Sequence, residues 1–244
     1  SFIGVRSEAT LSEKDGLAYW QGTAPAGAPT GIDPLEALRL SAAHLKSPKI
    51  PGLPPLTGGL VGFMGYDVVR RLERLPDLTA KDIPLPELSF MLTSDLAVLD
   101  HSDGTITLIA NAINWDGSDD RIDEAYESCV QRLDRMQADL STPLSGEAAE
   151  IPDFSLPDYI GNISGEQFKE NILKVKEEIL AGEAFQVVLS QRFAMPCQAD
   201  AIDVYRMLRL NNPSPYMYLF RFTDGIEIVG SSPEALVKVN QKDV

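Results

Sequence analysis

The chain of 244 residues carries 36 acidic and 21 basic side chains, which gives a formal net charge of −15. This charge argues against nucleic acid or an anionic membrane as a partner, because both require a basic protein surface. The hydrophobic fraction of 44% is ordinary for a globular protein, and no run of about 18 apolar residues predicts a membrane span. Two cysteines, Cys129 and Cys197, make no disulfide framework and indicate reduced thiols in a cytoplasmic protein.

The first 50 residues predict a β-hairpin followed by a helix. Asp15-Gly16 separates two strand-like runs within residues 1–22, and this dipeptide favours a tight hairpin turn. Asp33 is a suitable N-cap, and Pro34 suits the first helical position. The predicted helix ends at Pro48 and buries three leucines, Leu35, Leu38 and Leu45.

A glycine-rich run at 58–66 predicts a strand rather than a phosphate-binding loop. Its glycines follow no Gly-x-Gly-x-x-Gly spacing, and no Gly-Lys-Ser/Thr sequence follows them. In a strand, such glycines allow close packing or bulges. Residues 68–75 then predict a short helix, whose charged side chains we expect on a solvated face: Arg70, Arg71, Glu73 and Arg74.

The middle of the chain predicts two strands, a long helix and a linker. Residues 90–100 and 105–112 are strand-like and are joined by a turn containing Gly104. Ser118 is the expected cap of the long helix, whose apolar residues recur at helical spacing: Ile122, Tyr126, Cys129, Leu133, Met136 and Leu140. The following stretch is rich in proline, glycine and acids. It predicts a linker, which we assign to 146–160, between domains at 1–145 and 161–244.

Residues 164–193 predict one helix followed by one strand. Ser164 is a suitable N-cap, and Gly182 is placed to end the helix in a left-handed conformation. From Ala184 the apolar period changes to two, as in a strand. One face of that strand carries a polar row, formed by Gln186, Ser190 and Arg192. Because buried polar groups cost about 1–3 kcal/mol when unpaired, this row faces either solvent or a polar ligand.

The last 45 residues predict a helix over 200–210 and strands over 216–222 and 226–230, with a further strand-like run at 235–239. Ser231 and Glu234 form a Ser-x-x-Glu pattern. On its own, this pattern is explained by a helix cap without any further function. Hairpins and helices without steady alternation predict an α+β fold with antiparallel sheets.

Four stretches together carry a family resemblance: 164–193, Gly59-Leu-Val-Gly-Phe-Met-Gly-Tyr-Asp67, Asn212-Pro-Ser-Pro-Tyr-Met217 and Val229-Gly-Ser-Ser-Pro-Glu234. Over about residues 1–239, the chain resembles the anthranilate synthase component I family of chorismate-utilising enzymes. The resemblance implies a two-sheet β-sandwich flanked by helices. It also implies a chain incomplete at both ends, with a regulatory segment before Ser1 and about half of the catalytic domain after Val244.

The resemblance implies roles for single residues. Glu234 matches a glutamate placed as a general acid near the leaving hydroxyl of chorismate, and Ser190 and Arg192 would line the substrate pocket. Gln186 matches a position where water-adding relatives have a basic lysine. A glutamine cannot accept a proton and can only orient a nucleophile, so Gln186 favours ammonia over water. In this family a Pro-Tyr-Met stretch helps to bind tryptophan as feedback inhibitor, which implies that role for Pro215, Tyr216 and Met217.

The resemblance therefore implies the large subunit of anthranilate synthase, which makes anthranilate and pyruvate from chorismate and ammonia. Its partners would be chorismate, tryptophan and a glutamine amidotransferase subunit that supplies the ammonia. The cofactor would be Mg²⁺, with ligands expected after Val244, and we therefore expect this chain alone to be inactive. The alternatives are component I of aminodeoxychorismate synthase, or an inactive or regulatory fragment.

Overall fold

The computed structural model describes residues 1–76, 78, 83–143 and 158–239, and the chain divides into two compact units. Unit 1 comprises Ser1–Ser145 and unit 2 comprises Gly146–Val244. Most of the linker predicted at 146–160 lies outside the described residues.

Unit 1 is built on a five-stranded antiparallel sheet. Its strands are β1 (Phe2–Lys14), β2 (Leu17–Gly22), β3 (Gly59–Met64), β4 (Leu88–Leu99) and β5 (Ile106–Ala110). The order is β2-β1-β4-β3, and β5 also pairs with β4. Strand β4 therefore pairs with β1, β3 and β5, and most of its residues are buried.

The predicted β1–β2 hairpin and the predicted strand at the glycine-rich run are both confirmed. Asp15 and Gly16 have φ angles of 53° and 81°, the left-handed values that a two-residue hairpin turn requires. Gly62 lies in β3 opposite Phe90. A Cβ atom at Gly62 would overlap the Ser89 carbonyl, so β3 approaches β4 closely only because this side chain is absent.

Helix α1 (Pro34–His44) begins as predicted, because the Asp33 carboxylate accepts a hydrogen bond of 3.0 Å from the Glu36 backbone N–H. Its buried face differs from the prediction. The fully buried residues are small, namely Pro34, Ala37 and Ser41, whereas Leu35, Leu38 and Leu45 are half-buried. Ala37 packs with Leu11 and Ala18 in a small hydrophobic core. Small side chains allow the helix backbone to approach the sheet closely.

Arg71 is not on a solvated face, which corrects the prediction from the sequence. It ends a 3₁₀ helix at Tyr66–Arg71, and its side chain is only 19% exposed. Its guanidinium forms ion pairs with Asp33 at 2.5 Å and with Glu87 at 2.7 Å. Arg71 therefore links the start of α1 to the residue that precedes β4.

Helix α2 (Ile122–Ser141) begins later than predicted. Ser118 does not cap it; the Ser118 hydroxyl instead accepts a hydrogen bond of 3.2 Å from the Asp120 N–H in the preceding turn. Only the middle of the predicted apolar stripe is buried, at Cys129 and Met136. Three other stripe residues are at least half exposed, namely Ile122, Tyr126 and Leu140.

The described part of unit 2 contains two helices and four short strands. The helices are α3 (Gly165–Ala181) and α4 (Ala201–Asn211), and the strands are β6 (Ile160–Gly161), β7 (Phe193–Ala194), β8 (Tyr216–Arg221) and β9 (Glu227–Ser232). Strands β6 and β7 form one antiparallel pair, and β8 and β9 form another. The predicted α+β class with antiparallel sheets is confirmed.

Candidate active-site segments

The segment carrying the predicted polar row follows a well-defined helix end. The Ser164 hydroxyl accepts from the Gln167 N–H at 3.1 Å, which caps α3 as predicted. Gly182 ends the helix with a φ of 86°, also as predicted. Gly182 and Glu183 donate their N–H groups to the carbonyls of Ile179 and Glu178. These bonds satisfy carbonyls that a helix end otherwise leaves free.

The strand predicted over 184–193 is wrong for most of its length. Only Phe193–Ala194 is a strand, and it pairs with Ile160–Gly161. Strands form when backbone groups find a ladder partner, and residues 184–192 belong to no ladder among the described residues. Two apolar side chains of the segment are consequently in solvent, Phe185 at 94% and Val188 at 84% exposure.

The three residues of the polar row differ in how they are held. Gln186 and Ser190 are exposed, whereas Arg192 is half-buried. The Arg192 backbone is held on both sides by Asn162, whose side-chain oxygen accepts from the Arg192 N–H and whose own N–H donates to the Arg192 carbonyl, each at 3.0 Å. Asn162 carries no recognisable signal in the sequence, because its partner is 30 residues away.

A second set of predicted residues lies at one end of the β8–β9 hairpin. Tyr216 pairs with Ser232 and Met217 pairs with Ser231. The hairpin is closed by a turn in which the Asp224 carboxylate accepts from the Ile226 N–H at 3.2 Å and Gly225 has a φ of 85°. Pro215, Tyr216 and Met217 therefore lie beside the end of the strand that leads to Glu234.

Glu234 does not belong to a helix cap. No helix follows Ser231 in the described part of the chain, and the Ser231 hydroxyl donates to the Asn212 carbonyl at 2.7 Å instead. Glu234 is exposed, and its backbone carbonyl accepts from the Ser232 hydroxyl at 3.1 Å. An exposed carboxylic acid at a strand end can reach a bound substrate. The capping interpretation of this Ser-x-x-Glu pattern is therefore wrong.

The polar row and the residues at the end of the β8–β9 hairpin are held by separate groups of hydrogen bonds. Arg192 is bonded to Asn162 beside β6 and β7, and Glu234 follows β9. A cleft shared by Gln186 and Glu234 therefore stays a prediction. A groove of about 730 Å³ lies in unit 1 between the segment after β5 and α2, and none of the predicted site residues lines it.

Metal binding has no support from the described residues. Within the described ranges, no group of three or more His, Cys, Asp or Glu side chains could hold a metal ion. None of the helices in the same part of the chain has the combination of length and apolar character that a membrane crossing requires.

Comparisons with known proteins agree over almost the whole chain. Residues 8–244 match the family model described as chorismate binding enzyme. Anthranilate synthase component 1 of Mycolicibacterium smegmatis is 52% identical over 98% of this chain and 46% of its own length. The protein of the same name from Arthrobacter globiformis is 46% identical over 100% of this chain and 47% of its own length. The chain thus spans about half the length of the curated relatives it matches.

The fold agrees with a solved structure. The crystal structure of anthranilate synthase component I from Streptococcus pneumoniae TIGR4 has a TM-score of 0.78 to this chain at 29% sequence identity. The match covers 99% of this chain and 52% of that one. The fold predicted from the resemblance is thereby confirmed.

Proposed function

Because this chain belongs to the chorismate-binding enzyme family, we propose that the whole protein is the large subunit of anthranilate synthase. The observation that carries this proposal is the 52% identity, over 98% of the chain, to a relative named anthranilate synthase component 1. In the proposed reaction, ammonia adds to the chorismate ring and the ring hydroxyl leaves as water. Elimination of pyruvate then gives anthranilate.

Gln186 supports ammonia as the nucleophile. A glutamine offers a carbonyl acceptor and an NH₂ donor but cannot take up a proton. Neutral ammonia is a good nucleophile that needs only orientation, whereas water is a poor nucleophile that needs a base to remove a proton. The exposure of Gln186 leaves its amide accessible to a substrate.

Glu234 supplies the proton in this proposal. Protonation of the departing hydroxyl lets it leave as water, and a positioned carboxylic acid contributes about 10²–10⁴-fold to such a step. Ser190 and Arg192 would line the substrate pocket, where a guanidinium binds a carboxylate through paired hydrogen bonds. Pro215, Tyr216 and Met217 would contact tryptophan as the feedback inhibitor.

The proposed reaction also requires components beyond these residues. Ammonia would come from a glutamine amidotransferase subunit, and Mg²⁺ would hold the substrate through ligands other than the described residues. We accordingly expect the 244-residue chain alone to make no anthranilate. Anthranilate fluorescence from this chain with chorismate, Mg²⁺ and ammonium would contradict that expectation.

The deciding experiment measures two products of the whole protein supplied with chorismate, Mg²⁺ and ammonium. We expect anthranilate fluorescence and an equal amount of pyruvate. We expect Glu234→Gln to lower kcat by about 10²–10⁴-fold, because an amide has no acidic proton to give. Ammonia incorporation without pyruvate would instead indicate an aminodeoxychorismate synthase, and the absence of both products would reject the proposal.

A further inference from the structure

Two segments with different proposed roles meet at one hydroxyl group. Ser231 donates to the Asn212 carbonyl at 2.7 Å, and its hydroxyl oxygen lies 2.9 Å from that of Ser214. Asn212 is also the C-cap of α4, and its N–H donates to the Leu208 carbonyl. One side chain on β9 therefore holds both the end of α4 and the turn that follows it.

The turn held by Ser231 is stiff. Pro213 and Pro215 each lock one backbone φ angle near −65°. The same turn runs directly into β8, where Met217 pairs with Ser231 itself. A stiff turn attached at both ends moves with its attachment points, so a displacement of the turn is transmitted to β9.

A short connection joins this attachment to the proposed acid. Ser232 donates its hydroxyl to the Glu234 carbonyl at 3.1 Å. Pro233, between them, locks a further φ angle. The direction in which the chain leaves β9, and with it the position of Glu234, therefore depends on where the end of β9 is held.

We propose that Ser231 is a positioning residue that couples the turn at Asn212–Met217 to Glu234 through its hydrogen bond to Asn212. The catalytic consequence rests on the function proposed above for Glu234. The structural coupling does not rest on that function, because it is a property of the described hydrogen bonds. The two parts can therefore be tested separately.

The coupling is tested by residue-resolved amide hydrogen exchange on the whole protein. We expect Ser231→Ala to accelerate exchange about threefold to tenfold both at 216–217 and at the three amides of 231–234, Pro233 having none, since a net hydrogen bond is lost. Ser231→Thr keeps a hydroxyl and should restore the wild-type rates. Ser214→Ala leaves the bond to Asn212 in place and should leave exchange at 231–234 unchanged. Acceleration in one segment only, or no recovery in the Thr variant, would overturn the coupling.

The catalytic consequence is tested by steady-state kinetics on the whole protein. We expect Ser231→Ala to lower kcat about threefold to tenfold with little change in the KM for chorismate, because a displaced acid affects the transition state more than substrate binding. The Thr variant should again recover. A kcat equal to that of the wild type would refute the positioning role. If the wild type makes no anthranilate, the proposed function fails, while the exchange data still decide the coupling.

Discussion

At the scale of single residues, the role proposed for Gln186 would separate the chemistries available to this family. Its amide can orient a nucleophile but cannot act as a base. A lysine at the same position could deprotonate water if its pKa were lowered by the surroundings. The identity of this one side chain should therefore select between ammonia and water as the attacking group.

Replacement of Gln186 by lysine tests this selection in the whole protein. We expect Gln186→Lys to lower the kcat for anthranilate by about 10²-fold or more, since the orienting amide is lost. Gln167→Lys adds the same charge on the exposed face of α3 and should leave the kcat near that of the wild type. Both rates follow from anthranilate fluorescence. Equal rates for the wild type and Gln186→Lys would exclude a role for the amide.

Asp33 provides a pH-dependent test of the Arg71 ion pairs. The backbone N–H of Glu36 and the Arg71 guanidinium lower the pKa of the Asp33 carboxyl. A lowered folded-state pKa gives stability that is present above the unfolded pKa of about 3.9 and is lost as pH falls through the folded value. The effect should be at most about 1 kcal/mol, because the Asp33 side chain is 46% exposed.

The matched variant is Asp33→Asn, since asparagine caps helices as well as aspartate but carries no charge. We expect the wild type to exceed this variant in unfolding free energy above about pH 5, with the difference vanishing towards about pH 2. Urea denaturation across this range measures the difference. A difference that persists unchanged at the acidic end would show that the charge of Asp33 does not contribute.

At the scale of elements, helix α2 is attached to the sheet by a buried ion pair. The Arg132 guanidinium pairs with Asp95 on β4, and these side chains are 16% and 3% exposed. Arg132 also donates to the Asn111 carbonyl at 3.0 Å. Burial raises the pKa of the Asp95 carboxyl, and the positive charge of Arg132 lowers this pKa in part. The ion pair thus helps to hold α2 on the sheet, together with the buried side chains of Cys129 and Met136.

Removing one member of this ion pair should lower the unfolding free energy strongly. We expect Asp95→Asn to lower the unfolding free energy by about 3–5 kcal/mol, because it leaves the Arg132 charge buried without its carboxylate. Replacing both residues by leucine removes the unpaired charge and should recover most of the loss. Urea denaturation of the wild type, the single variant and the double variant measures these changes. A double variant no more stable than Asp95→Asn would contradict a mutual ion pair.

Several turns and helix ends follow from local signals in the sequence, although the caps expected at Ser118 and Ser231 do not form, whereas contacts with distant partners cannot be predicted in this way. Asp15-Gly16, Ser164 and Gly182 act within a few residues, so the turn and helix ends they predict are present. The environment of Arg71 cannot be predicted in this way, because its partners lie 16 and 38 residues away.

The two strand-like runs at 184–193 and 235–239 show the same limit. The first run alternates and the second is strand-like, but a strand also requires a neighbouring backbone with which to form a ladder. Among the described residues of these two runs, only Phe193 has such a partner. Alternation therefore predicts which side chains would share a face of a strand. It does not predict whether the strand forms.

At the scale of the whole molecule, the family and fold follow from motifs, whereas the assembly of the site does not. Short runs such as 212–217 and 229–234 identify the family because their residue order is specific. The hairpin then brings them together through backbone pairing. The distance from Gln186 to Glu234 has no such local determinant, because a coil segment carries one residue and a strand end carries the other.

The most direct test is a crystal structure of the whole protein with chorismate or a stable analogue bound. We expect the Gln186 amide and the Glu234 carboxyl both to lie within about 4 Å of the same ligand ring, the reach that orientation and proton transfer require. A structure in which these two side chains contact different faces of the molecule, with only one of them near the ligand, would contradict a shared site.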